Sequence, residues 1–147
     1  MLSFKENVKV TRVSNAVAAG TTDVECTGVN MAGFHSVTFM AAFGTITANA
    51  VTSVKAQGSS DDGSTDTYSD LEGTSITVAD DDDNQVVLLE VVQPTKQYIR
   101  LVVDRGTQNA VVDGVFAFQT GARSGPVTQP TSVLGSEIHE TPDEGTA

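Results

Sequence analysis

Aspartates supply most of the side chains in this chain that could do chemistry. Asp61, Asp62, Asp66 and Asp70 fall within one Ser/Gly/Asp-rich stretch. Ca2+ is a hard cation that takes about six to eight oxygen ligands, and such a cluster could feed several of them. The alternating acids closing on a bidentate Glu that mark an EF-hand are missing. Asp80, Asp81, Asp82 and Asp83 are adjacent, and neighbouring side chains diverge in an extended loop. That run reads as a charged hairpin tip that also discourages edge aggregation. Asp62 and Asp66 are the carboxylates a small acid-dependent hydrolase would use. Paired-carboxylate chemistry also needs an enclosed cleft and aromatics to hold substrate. Tyr68 and Tyr98 are the only tyrosines, and tryptophan is absent.

Other reactive types are scarce. His35 and His139 are far apart and fit no metal-ligand spacing. A Ser-His-Asp hydrolase would need one of them, and no Gly-x-Ser-x-Gly elbow accompanies either. Cys26 lies between Glu25 and Thr27, with no basic neighbour in sequence to activate it, and reads as a small core residue. Tyr98 and Arg100 share one strand face and could meet a sugar or a partner carboxylate. The plainer reading is framework, with Arg100 paired to an acid on the next strand. No phosphate-cradling glycine motif is present. No catalytic, cofactor-binding or metal-ligating residue is therefore expected, and no cofactor.

These residues must be positioned by strands, since no window sustains helical periodicity. Asn7–Val13 alternates imperfectly, with Val8 and Val10 on one face and Val13 out of phase, which predicts a bulge. Ala16–Ala19 and Asp23–Val29 are weaker strands around the Gly20-Thr21-Thr22 turn. Ser36–Phe43 is the clearest strand, with Val37, Phe39, Ala41 and Phe43 on one face. Its second face is mildly apolar, which suggests cover from a neighbouring subunit. Gly44–Asn49 turns the chain into a strand at Ala50–Gln57, and Gly58–Ser64 is a loop with positive φ and local side-chain caps. Thr65–Leu71 and Thr74–Val78 are short extended segments before the Ala79–Asn84 turn. Gln85–Val92, apolar on both faces except for Glu90, reads as a central strand. Gln97–Asp104 points Ile99, Leu101 and Val103 inward, and Ala110–Thr120 is the last long strand, with a bulge expected at Asp113-Gly114. About nine strands at regular spacing indicate a sandwich or barrel.

The 147 residues suit one domain: a 1–6 lead, a β-sandwich over 7–123 and a tail over 124–147. The tail holds three of the four prolines and reads either as mobile or as an arm docked on another subunit. A net charge of −11 argues against nucleic-acid backbones and anionic membranes, so neither is an expected partner. One cysteine leaves stability to packing or oligomerisation. The first residues lack a hydrophobic signal region, so synthesis in a cytoplasm is expected.

Several segments carry a family resemblance. They are Asn-Val-Lys-Val-Thr-Arg-Val-Ser-Asn-Ala-Val-Ala-Ala-Gly-Thr (7–21), Ala-Gln-Gly-Ser-Ser-Asp-Asp-Gly-Ser (56–64) and Tyr-Ser-Asp-Leu-Glu-Gly-Thr (68–74). With them go Gln-Pro-Thr-Lys-Gln-Tyr-Ile-Arg (93–100), Asn-Ala-Val-Val-Asp-Gly-Val (109–115) and the closing Pro-Asp-Glu-Gly-Thr-Ala (142–147). Over 5–147 the chain resembles the head decoration, or capsid cement, proteins of tailed bacteriophages. The resemblance implies an all-β, jelly-roll-like antiparallel sandwich with an extended C-terminal tail. It implies a homotrimer on the outer capsid surface of a virion, with the major capsid protein as partner, bridging neighbouring capsomers. It carries over no functional residue. A second likeness, through the Ser-Asp-Asp-Gly-Ser loop and Tyr98-Ile99-Arg100, runs to discoidin-type sugar-binding sandwiches, without the aromatic expected after the loop. A carbohydrate-binding module of an attachment structure is thus the alternative expectation.

Overall fold

The computed structural model describes residues 3–146; the part of the expected lead at Met1 and Leu2 lies outside them. A single helical turn, α1 (Phe4–Asn7), precedes eleven strands. In chain order these are β1 (Lys9–Ser14), β2 (Val17–Gly20), β3 (Val24–Glu25), β4 (Val29–Asn30), β5 (Ser36–Ile46) and β6 (Thr52–Ser59). Then come β7 (Ser69–Asp70), β8 (Ile76–Val78), β9 (Val86–Val92), β10 (Tyr98–Arg105) and β11 (Ala110–Thr120).

The strands form two antiparallel sheets, β1-β11-β5-β9 with β2 also on β11, and β3-β10-β6-β7 with β4 on β10 and β8 on β6. β1 and β2 pair with successive stretches of β11, so they act as one interrupted strand. β3 and β4 do the same along β10, and β7 and β8 along β6. The eight strand positions then run 1-8-3-6 in one sheet and 2-7-4-5 in the other, the doubly wound order of a jelly roll.

The core is built by period-2 alternation. Val37, Phe39, Ala41 and Phe43 of β5 face Ile99, Leu101 and Val103 of β10, and all seven are essentially inaccessible to solvent. Val54, Ala56, Val112, Val115 and Ala117 complete the layer between the sheets. Each large side chain so buried contributes about 1.5–3 kcal/mol. Both expected bulges are present: the β1–β11 register shifts between Arg12 and Ser14, and the β11–β5 register shifts at Asp113-Gly114.

Two expectations need correction. β5 runs on to Ile46 rather than turning after Phe43, because the β11 bulge lets Ile46 pair with Ala110. β9 is not central. It hydrogen-bonds β5 alone and forms one edge of its sheet.

Candidate functional site

The edge position of β9 determines the most distinctive surface of the molecule. Leu89 faces the core, while Val86, Leu88 and Val92 on the opposite face are 58%, 60% and 54% exposed. Register continues this apolar face across the sheet: Leu88 lies opposite Met40 of β5, and Met40 opposite Phe116 of β11. Phe118, one step along, stacks edge-on with Phe4 of α1 at 6.2 Å between ring centroids. The Arg12 guanidinium lies 5.8 Å above the Phe116 ring. Glu90, opposite Thr38, is the only carboxylate on the outer face of β9. Sequence reasoning recognised the second face of β5 as mildly apolar but took β9 for a covered strand.

The acidic loops are organised inward, onto the backbone. Asp61 accepts the N–H groups of Thr65 (2.8 Å) and Asp66 (3.1 Å), and Asp66 accepts Ser60 N–H (2.8 Å) and the Lys96 ammonium (2.7 Å). The buried Ser59 hydroxyl donates to the Asp66 carbonyl (2.6 Å) and accepts from Gly63 N–H (2.8 Å). Asp62 and Gly63 occupy the left-handed region, at φ 60° and 78°, where Asp and Gly are tolerated best. The Lys96 contact, reinforced by Ser60, holds the Asp66 carboxyl down at about 2. Burial pushes the Asp61 carboxyl up, but the Thr65 and Asp66 amides outweigh it and leave the group lowered. Asp70 is lowered by Gln57 and Lys55, and the Asp70 contact raises Lys55 in return.

The run at 80–83 behaves similarly. Asp83 accepts Ile46 N–H (2.5 Å), Asp80 accepts Asn49 N–H, and Asp82 accepts Ala79 N–H (2.9 Å). Asp83 and Asp80 so clamp the β5–β6 turn onto the β8–β9 turn, a structural role beyond that of a charged tip, while Asp82 caps its own turn. Among the described residues, no three or more His, Cys, Asp or Glu side chains are grouped to hold a metal ion.

Tyr98, Arg100 and their neighbours are engaged with one another. Arg100 bonds Gln57 (2.8 Å) and Glu25 (3.1 Å), and its guanidinium covers the Tyr68 ring at 4.3 Å. The pairing to an acid on the next strand is thus to Glu25 of β3. Tyr68 donates to Asp62 (2.5 Å), and burial together with that bond raises its hydroxyl pKa. The Tyr98 hydroxyl accepts from Asn30 (3.3 Å). The face of the Tyr68 ring under Arg100 is therefore not an open stacking platform. Cys26 is buried, and burial, opposed weakly by Arg100, pushes its thiol up to about 12. His35 is exposed at the start of β5, and His139 bonds only Glu137 (2.8 Å) in the tail.

The first part of the tail is bound to its own body, along the N-terminal segment. Residues 127–132 follow β1: Val127 N–H bonds Glu6 O (2.9 Å), and Ser132 accepts Arg12 N–H (3.4 Å). Gln129 accepts Val10 N–H (3.0 Å) and donates to Lys5 O (2.9 Å) and Val8 O (2.7 Å). The tail so caps the β1 edge. The hydrogen bonds of residues 133–146, among the described residues, are local ones, and Leu134 is fully exposed.

No protein-family model matches the chain, and no curated protein sequence matches it.

Proposed function

We propose that the protein is a structural component of a virion, a capsid decoration protein that stabilises a tailed-phage head by bridging neighbouring capsomers. The observation that carries this reading is the uncovered β9 edge with its apolar outer face. A long apolar edge strand offers both unpaired backbone groups and a hydrophobic surface to another chain, and proteins that remain alone blunt such edges. Here the β1 edge is capped by residues 127–132, whereas among the described residues β9 pairs with β5 alone. The resemblance to decoration proteins names the major capsid protein as the neighbour that this face meets, with sister copies of the trimer joined through other surfaces. A rigid sandwich offering one sticky face distributes modest contacts around a closed ring.

The test is sedimentation of the purified protein with expanded, undecorated shells of the phage that encodes it. Saturable co-sedimentation is expected, and Val86→Lys with Leu88→Lys weakens it by about tenfold or more, since truncating interface anchors costs well over 1.4 kcal/mol. Both positions are exposed, so the variant keeps its fold. A protein that never sediments with shells overturns the reading.

A further inference from the structure

The loop end of the sandwich, where β4 leads into β5, β9 into β10 and β11 into the tail, carries a feature that the apolar face does not explain. An open groove of about 500 Å3 there is lined by Phe34, His35, Pro94, Lys96 and Arg123 among others. A second hollow of about 270 Å3 shares the Ala32-Gly33-Phe34 loop with it and adds Lys9. Neither hollow has an Asp or Glu in its lining. In a chain with 19 acidic and 8 basic residues this is a marked segregation of charge. Lys96 is held by Asp66, but Lys9 and Arg123 have no carboxylate partner among the described residues. Lys9 instead sits 5.9 Å over the Phe34 ring.

We infer that this groove binds the acidic end of the tail, residues 133–146, from a second copy of the chain. The complementarity is of two kinds. Beyond Arg123 the chain has no Lys or Arg, and Glu137, Glu140, Asp143 and Glu144 leave its end strongly negative. Leu134 and Ile138, 104% and 51% exposed, have no apolar bed on their own body, while Phe34 and Pro94 offer one in the groove. The chain's own residues 133–146 line neither hollow, which leaves the groove open to the tail of a second copy. Residues 127–132 start beside Glu6 and run parallel to β1 as far as Arg12, so they carry the chain away from the groove. At about 3.3 Å per residue that run covers roughly 17 Å. A tail seated in the groove of the next molecule is a head-to-tail contact, and such contacts close into rings when the rotation allows. The inference concerns self-association in solution and stands whether or not the protein binds shells.

The experiment is sedimentation velocity of the full chain across a concentration series, without shells. Concentration-dependent assembly is expected, weakened about tenfold by Arg123→Glu and by the combined Glu137→Gln, Glu140→Gln, Asp143→Asn and Glu144→Gln variant. Arg123→Glu combined with Glu137→Lys and Glu140→Lys restores assembly, an outcome that a merely structural role for Arg123 would not give. Val86→Lys with Leu88→Lys leaves this association in place, which separates it from the shell-binding face. A protein that stays monomeric at every concentration overturns the inference, as does an assembly indifferent to both sets of charge changes.

Discussion

At the residue scale, the most consequential side chain is one that nothing in the sequence marks. Arg105 ends β10 and is only 5% exposed. Its guanidinium donates to Thr22 O (2.6 Å), Ala18 O (2.8 Å) and Ala110 O (2.8 Å), while its own N–H bonds Asp23 (3.1 Å). One planar cation thereby ties the β2–β3 segment to the start of β11. A buried charge of this kind is tolerated because three of its five N–H donors find carbonyls. Arg105→Leu strands three carbonyls, and a loss of about 2–4 kcal/mol in urea unfolding is expected. Arg105→Lys recovers part of it, because a point charge cannot reproduce the fork. A loss below about 1 kcal/mol for the leucine variant would mean that water replaces the guanidinium.

At the scale of elements, the tail divides into a bound and an unbound half. Gln129 makes three hydrogen bonds to the backbone of residues 5–10, whereas residues 133–146 bond only locally among the described residues. Gln129→Ala is expected to lower stability by about 1–3 kcal/mol, and deletion of 133–147 to change it by less than about 0.5 kcal/mol. Urea melts of the two variants check this, and the reverse order would contradict the assignment. The same division shows what the sequence made legible. The alternation in Ser36–Phe43 and Gln97–Asp104 was enough to orient both sheets, and the out-of-phase Val13 revealed its bulge. The side-chain caps of the Gly58–Ser64 loop followed from turn chemistry, although Asp66, which caps Ser60, belonged to the segment read as extended. Gln129 was invisible because its bonds depend on which strand the tail happens to meet. The edge position of β9 was hidden for a different reason. A strand covered by a second layer and a strand whose outer face awaits another molecule have the same apolar composition, so Val86, Leu88 and Val92 carried no mark of exposure. The cation-lined groove and the hollow beside it likewise assemble Lys9, Lys96 and Arg123 from three distant segments.

At the scale of the whole molecule, the acid balance and the acidic loops act in opposite directions as pH falls. With a net charge of −11 at pH 7 and a pI near 4.3, the folded chain repels itself less as carboxylates begin to protonate. That relief favours the compact state between pH 7 and the pI. The loop carboxylates set the lower limit. Asp66 is held at about 2, and Asp61 and Asp70 are also lowered, against about 3.9 for an unfolded Asp. The unfolded chain therefore binds protons first. The stability these groups contribute is fully present above about pH 4 and is lost as pH falls below it, for Asp66 through about 2. Urea midpoints should accordingly hold or rise from pH 7 to about 5 and then fall steeply between about 4 and 2. Lys96→Met removes the leading cause of the Asp66 shift, so it should shrink the acid-side slope while leaving the slope between pH 7 and 5 unchanged. An acid limb as steep in Lys96→Met as in the parent chain would show that the loss of stability originates elsewhere in the fold.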